Sequence, residues 1–167
     1  MEALNQLQKP AYLFVRLHPR MTDPGASSEW KEEYRKYQEL VPGLTHGKSV
    51  DTSDKRISDL VNAASDVVVG AFPTMIVEAC YLRKACLSIT NPAAQEYYEM
   101  ETSGALKVFP PVALGCCYGA VNTEETVSAF DSIFSGFTLK DAQEEHFVSD
   151  GQSANRIANA ILDRYGQ

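Results

Sequence analysis

The chain has 167 residues, enough for one domain with a sizeable core, and its 44% hydrophobic and 22% charged content is ordinary for a globular protein. A formal charge of −7 and a pI near 4.9 exclude a general nucleic-acid binder, which needs a basic surface. No apolar run approaches the roughly 20 residues of a membrane-spanning helix, and the polar stretch Met1 to Gln8 lacks the apolar centre of a signal peptide.

Met1 to Gln8 reads as a short helix, and Ala11 to Leu17, aromatic and β-branched, as a strand. His18-Pro19-Arg20 ends that strand, because the residue before Pro is held extended and Pro19 offers no ladder donor. Met21 to Ala26 reads as a loop. Ser27 or Ser28 then caps a helix with Trp30, Tyr34, Tyr37 and Val41 at helical spacing, stopped by Pro42-Gly43. An aromatic stripe of this kind is expected to be core. Leu44 to Val50 holds a short strand, and Ser53 caps a helix with the apolar stripe Ile57, Leu60, Val61 and Ala64.

The stretch from Asp66 to Cys80 carries the most information. Val67-Val68-Val69 is the unbroken β-branched run of a strand covered on both faces. Gly70-Ala71-Phe72 turns the chain, and Pro73 fits the first position of a helix, where its missing N–H costs nothing. Such a turn aims free amides at the space above the strand's carboxyl end, where open α/β sheets bind ligands and helix starts attract phosphate. Glu78, four residues past Thr74, lies on the same helix face and can accept from a hydroxyl.

Lys84 to Ile89 reads as the next strand and Ala93 to Glu101 as a helix carrying Tyr97, Tyr98 and Met100. Pro110-Pro111 breaks the following segment, Gly115 to Val121 reads as a short last strand, and Asn122 with Glu125 forms a capping box for a helix through Phe134. Gly136 to Asp150 reads as irregular, and a final helix runs from about Ser153 to Tyr165. The βαβαβ alternation predicts a three-layer, Rossmann-like α/β domain over residues 1–167 with a mainly parallel sheet.

Cys80, Cys86, Cys116 and Cys117 show neither a CxxC pair nor a metal-ligand spacing with His, so they read as reduced core thiols, and the cytoplasm follows as the compartment. No metal site is expected. An anionic ligand needs a local cationic pocket in this acidic body, and the candidate cations are Arg16, His18, Arg20, Lys55, Arg56, Arg83 and Lys84. No GxSxG, HExxH, P-loop or GxGxxG pattern occurs.

The order Leu13-Phe14-Val15-Arg16-Leu17-His18-Pro19-Arg20, Asp59-Leu60, Ala64-Ser65-Asp66-Val67-Val68-Val69, Thr74 with Glu78-Ala79, and Lys84-Ala85 resembles the carboxyl-terminal domain of GT-B fold glycosyltransferases. Asp150-Gly151 followed by Arg156-Ile157 is similar to the tail of the same proteins. The nearest in pattern are surface and capsular polysaccharide synthesis proteins, CDP-glycerol glycerophosphotransferases and UDP-N-acetylglucosamine 2-epimerases. The resemblance runs from Ala11 to Ile161. It implies a domain that holds a nucleotide-activated donor, a nucleotide sugar or CDP-glycerol, and uses no further cofactor.

By motif position, Phe72, Pro73, Thr74 and Met75 would meet the diphosphate, Glu78 the ribose hydroxyls, and His18 and Arg20, as catalytic residues, the phosphate or the reacting group. This chain departs from the pattern at Ala71-Phe72-Pro73-Thr74, where relatives carry Ser or Gly, and at Arg83-Lys84-Ala85, where they carry Gly-Lys-Pro. The GT-B active site lies between two Rossmann-like domains, and 167 residues make only one. The expectation is therefore half of a glycosyl or glycerophosphate transferase, inactive alone. An acceptor-binding domain would lie in the same or another chain, and peripheral membrane association would come through the complete enzyme. A UDP-sugar 2-epimerase-like domain and a non-catalytic binding module of the same fold are the alternatives. Taken singly, Glu78 also fits a solvated helix carboxylate, Thr74 a bond within its own helical turn, and His18 a satisfied loop residue.

Overall fold

The computed structural model describes residues 1–7, 9–53, 58–71, 74–136 and 138–165. In chain order the elements begin α1 (Glu2–Gln6), β1 (Ala11–Val15), α2 (Pro19–Thr22), α3 (Ser28–Leu40), a 3-10 turn at Val41–Gly43 and β2 (Gly47–Asp51). They continue α4 (Ser58–Ala64), β3 (Val67–Gly70), α5 (Thr74–Tyr81), β4 (Ala85–Ile89), α6 (Pro92–Glu101), α7 (Pro110–Ala113) and β5 (Tyr118–Ala120). The chain then runs through α8 (Thr123–Phe134), α9 (Lys140–His146) and α10 (Ser153–Tyr165). Every strand pair among the described residues is parallel, so the molecule is α/β of the Rossmann-like kind.

The strands form two sheets, β1-β2 and β3-β4-β5, where the alternation alone predicts one mainly parallel sheet. In the larger sheet, β4 is central and pairs Cys86 with Val68 on one side and Leu87 with Tyr118 on the other. Alternate strand residues feed two separate cores. Val68 and Cys86 pack with Ile76, Ala79 and Cys80 of α5 and with Cys116, Cys117 and Phe147. Leu87 and Ala120 pack on the other face with Ala129 and Phe130 of α8 and Ala3 of α1. The β3–β5 sheet thus has a helix layer over each face, and the apolar run of β4 is what such a strand requires.

The helix signals of this half are local and visible. Asn122 Oδ1 accepts from the Glu125 N–H at 2.8 Å while Glu125 Oε2 accepts from the Val121 N–H at 3.0 Å, which starts α8. Asn91 Oδ1 accepts from the Ala94 N–H at 2.9 Å with Pro92 at the first helical position of α6. The irregular reading of Gly136 to Asp150 is corrected by α9, whose buried Gln143 donates from Nε2 to the carbonyls of Lys84 and Cys116, both at 2.9 Å.

The smaller sheet is held differently. Its ladder runs from Ala11 opposite Gly47 to Val15 opposite Asp51, and none of those strand residues is buried. A Cβ on Gly47 would sit 1.9 Å from the Ala11 carbonyl oxygen, so only glycine permits this approach. The strand stops at Val15, two residues short of the sequence reading, because the chain beyond it turns to side-chain and backbone ties. Thr52 donates from both N–H and Oγ1 to the Val15 carbonyl, at 2.8 and 3.0 Å, and Ser53 Oγ accepts from the Leu17 N–H at 2.8 Å. The first turn of the helix expected from Ser53, with its stripe residue Ile57, lies outside the described residues. The expectation that Trp30, Tyr34 and Tyr37 are core is corrected too: α3 buries none of its residues, and Arg35 pairs there with Glu32 and Glu39.

Candidate functional site

The carboxyl ends of β1 and β3 meet at a cavity of about 320 Å³. Its described lining is Phe14 and Arg16 from the end of β1, Val69 and Gly70 from β3, Ala71 after it, Met75 in the first turn of α5, and Val61 from α4. From this point the chain runs outward in two directions, β1 to its partner β2 and β3 to its partner β4. β1 and β3 belong to separate sheets, so the cavity lies between two sheet edges, beside the carboxyl ends of parallel strands, where α/β proteins hold ligands. The volume lies within the range of small-molecule sites.

The wall has a fixed corner. Ser88 on β4, 1% exposed, donates from Oγ to the Ala71 carbonyl and pins the start of the turn after β3. Five of the lining side chains are apolar (Phe14, Val61, Val69, Ala71, Met75), and Arg16 is the charged residue of the described lining. This combination suits a flat or apolar group joined to an anion.

Of the residues singled out from sequence, Met75 lines the cavity. Thr74 is exposed at the start of α5. Glu78 is exposed one turn further, and its Oε2 accepts from Asn62 Nδ2 at 3.0 Å. Phe72 and Pro73 lie outside the described residues, as do Lys55 and Arg56. His18 follows β1 but is occupied: its Nδ1 accepts from the Arg20 N–H at 3.2 Å, capping α2, and its ring stacks on Trp30 with centroids 4.9 Å apart. Arg20 is exposed within α2. Neither is among the described residues that line the cavity.

Arg83 and Lys84 stand at the amino end of β4, away from the strand ends that form the site. Arg83 (φ 55°) closes α5, donating to the carbonyls of Cys80 at 2.9 Å and Phe147 at 3.0 Å. Tyr98 stands edge-on to Phe109 with centroids 6.2 Å apart, and Tyr97 is 56% exposed.

The four cysteines are free and buried, with Cys80 on α5 and the other three packed against it. Cys80 and Cys86 sulfurs lie 3.6 Å apart, and this contact, followed by burial, pushes the Cys80 thiol well above its ordinary range. The neighbouring Cys117 thiol, followed by burial, also raises Cys86, and burial raises Cys116, which suits these thiols to packing. Among the described residues no His, Cys, Asp and Glu side chains group to hold a metal ion, and no helix is long and apolar enough to cross a membrane.

Sequence reasoning placed Arg16 among several cations and did not single out Phe14, Val61, Asn62 or Ser88. The contacts of these residues are between elements far apart in the chain. No family model, curated protein or solved structure matches the chain.

Proposed function

We propose that this chain is the donor-binding domain of a GT-B type transferase, holding a nucleotide-activated sugar or glycerol at the carboxyl ends of β1 and β3. The observation that carries the reading is the cavity between those strand ends, with Arg16 beside an apolar wall and the start of α5 at its rim. The base packs against Phe14, Val69 and Met75, and Arg16 and the α5 amides take the diphosphate. Glu78 takes the ribose hydroxyls. In the complete enzyme these donors stabilise negative charge as it builds on the departing diphosphate. His18 and Arg20, just beyond the β1 end, face the reacting group once the acceptor-binding domain closes over the site. For His18 that role needs the imidazole to leave Trp30 or to act through its Nε2.

The exposed apolar side chains of Tyr12, Phe14 and Val50 on the β1-β2 sheet suit a second domain that covers them. A cytoplasmic setting goes with the reading, in keeping with four buried unpaired thiols, and any membrane association is peripheral, through the complete enzyme.

The test is calorimetric titration of the chain with UDP, CDP, GDP and their sugar or glycerol conjugates. One base family should bind, and Arg16→Ala should weaken it at least tenfold, about 1.4 kcal/mol. Absence of binding up to millimolar nucleotide would instead assign the fold to a non-catalytic module.

A further inference from the structure

Asn62 is a polar side chain in a place that suits an apolar one. It is 1% exposed, sits in α4 next to Val61 of the cavity wall, and its Oδ1 finds no partner among the described residues. A buried amide oxygen left unpaired destabilises a fold, and a leucine, with the same heavy-atom branching, would remove that penalty. What the amide does make is one bond: Nδ2 donates to Glu78 Oε2 at 3.0 Å. Only the N–H side can face a carboxylate, so the orientation of the amide is set by chemistry.

Glu78 itself is exposed, one helical turn after the cavity-lining Met75. An exposed glutamate samples several rotamers, and fixing one of them before a ligand arrives lowers the entropy lost on binding. With Oε2 anchored from beneath by α4, Oε1 is the oxygen left to accept from a ligand.

We infer that Asn62 is a positioning residue: it presets the Glu78 carboxylate to accept from the vicinal ribose hydroxyls of a nucleoside diphosphate held in the cavity between β1 and β3. The inference rests on the donor-site reading above. It adds that ribose recognition depends on a side chain that never touches the ligand.

The experiment titrates the full chain with UDP, CDP and GDP, then with the 2′,3′-dideoxy form of whichever binds. The expected result is that removing the two hydroxyls weakens binding to the wild-type chain at least tenfold. Asn62→Leu binds the ribose form equally weakly, leaves the dideoxy form unchanged, and melts at the same or a higher temperature. In a Glu78→Ala background, Asn62→Leu has no further effect, because it acts only through that carboxylate. The inference is overturned if Asn62→Leu keeps the ribose preference, if both forms weaken alike with a lower melting temperature, or if the two substitutions add. If the wild-type chain binds no nucleoside diphosphate at millimolar concentration, the donor-site reading itself falls and this inference falls with it.

Discussion

The β3-β4-β5 half and the β1-β2 half are built from the same parallel geometry and differ in what lies over them. In the first, α5 covers one face and α8 with α1 the other, and Ile76, Leu87, Cys80 and Cys86 are fully buried. In the second, no strand residue is buried, Tyr12 is 71% exposed, and the structure hangs on ladder bonds, the Thr52 and Ser53 ties, and one glycine. Two strands whose better-covered face, Ala11, Leu13 and Val15 on β1, is only half-buried are marginal in water. The difference shows at the cavity on their border, where the covered half and α4 supply Val61, Val69, Gly70, Ala71 and Met75 and the uncovered half supplies Phe14 and Arg16.

Core truncation should divide the halves most sharply. Leu87→Ala should cost about 2–5 kcal/mol, whereas Tyr12→Ala should stay within about 0.5 kcal/mol, both read by urea denaturation. Equal effects would mean that β1-β2 is covered in solution. Next in size is Gly47→Ala, where a methyl 1.9 Å from the Ala11 carbonyl must part the strands, a local cost of about 1–3 kcal/mol. Hydrogen exchange should then accelerate across β1 and β2 and stay slow in β4; acceleration in both sheets would refute the separation. Asn122→Ala removes the α8 cap and should cost about 1 kcal/mol by thermal melting.

The smallest effect lies outside both sheets. Arg156, bonded to Asp150 at 2.7 Å, followed by the Gln152 N–H, holds the Asp150 carboxyl down at about 2. A depressed acid stabilises above its unfolded value, so this clasp at the start of α10 is complete above about pH 4. It is lost as pH falls through about 2. Carboxyl NMR should show that midpoint, and one near 4 would deny the contact.

The larger half was legible because its signals are local: the valine run of β3, the Asn122 and Glu125 pair, and the Asn91-Pro92 start all act within a few residues. α9 was not, since its buried anchor is Gln143, a polar residue that carries no hydrophobic period. The aromatic stripe of α3 misled for the opposite reason, being regular yet unburied. The gap between β1 and β3, the Ser88 tie to Ala71 and the Asn62–Glu78 bond all join residues at least 16 apart in sequence, and no periodicity encodes them. His18 stood out by its place before Pro19, and that place also explains its use as a cap.

The most direct measurement is an amide NMR titration of the chain with UDP, CDP and GDP. The account predicts that one of them shifts the resonances of Arg16, Gly70, Ala71 and Met75 together, with Val61 and Glu78 following. Shifts confined to another surface, such as the depression at His46 and Lys48, or no shifts at millimolar ligand, would contradict it.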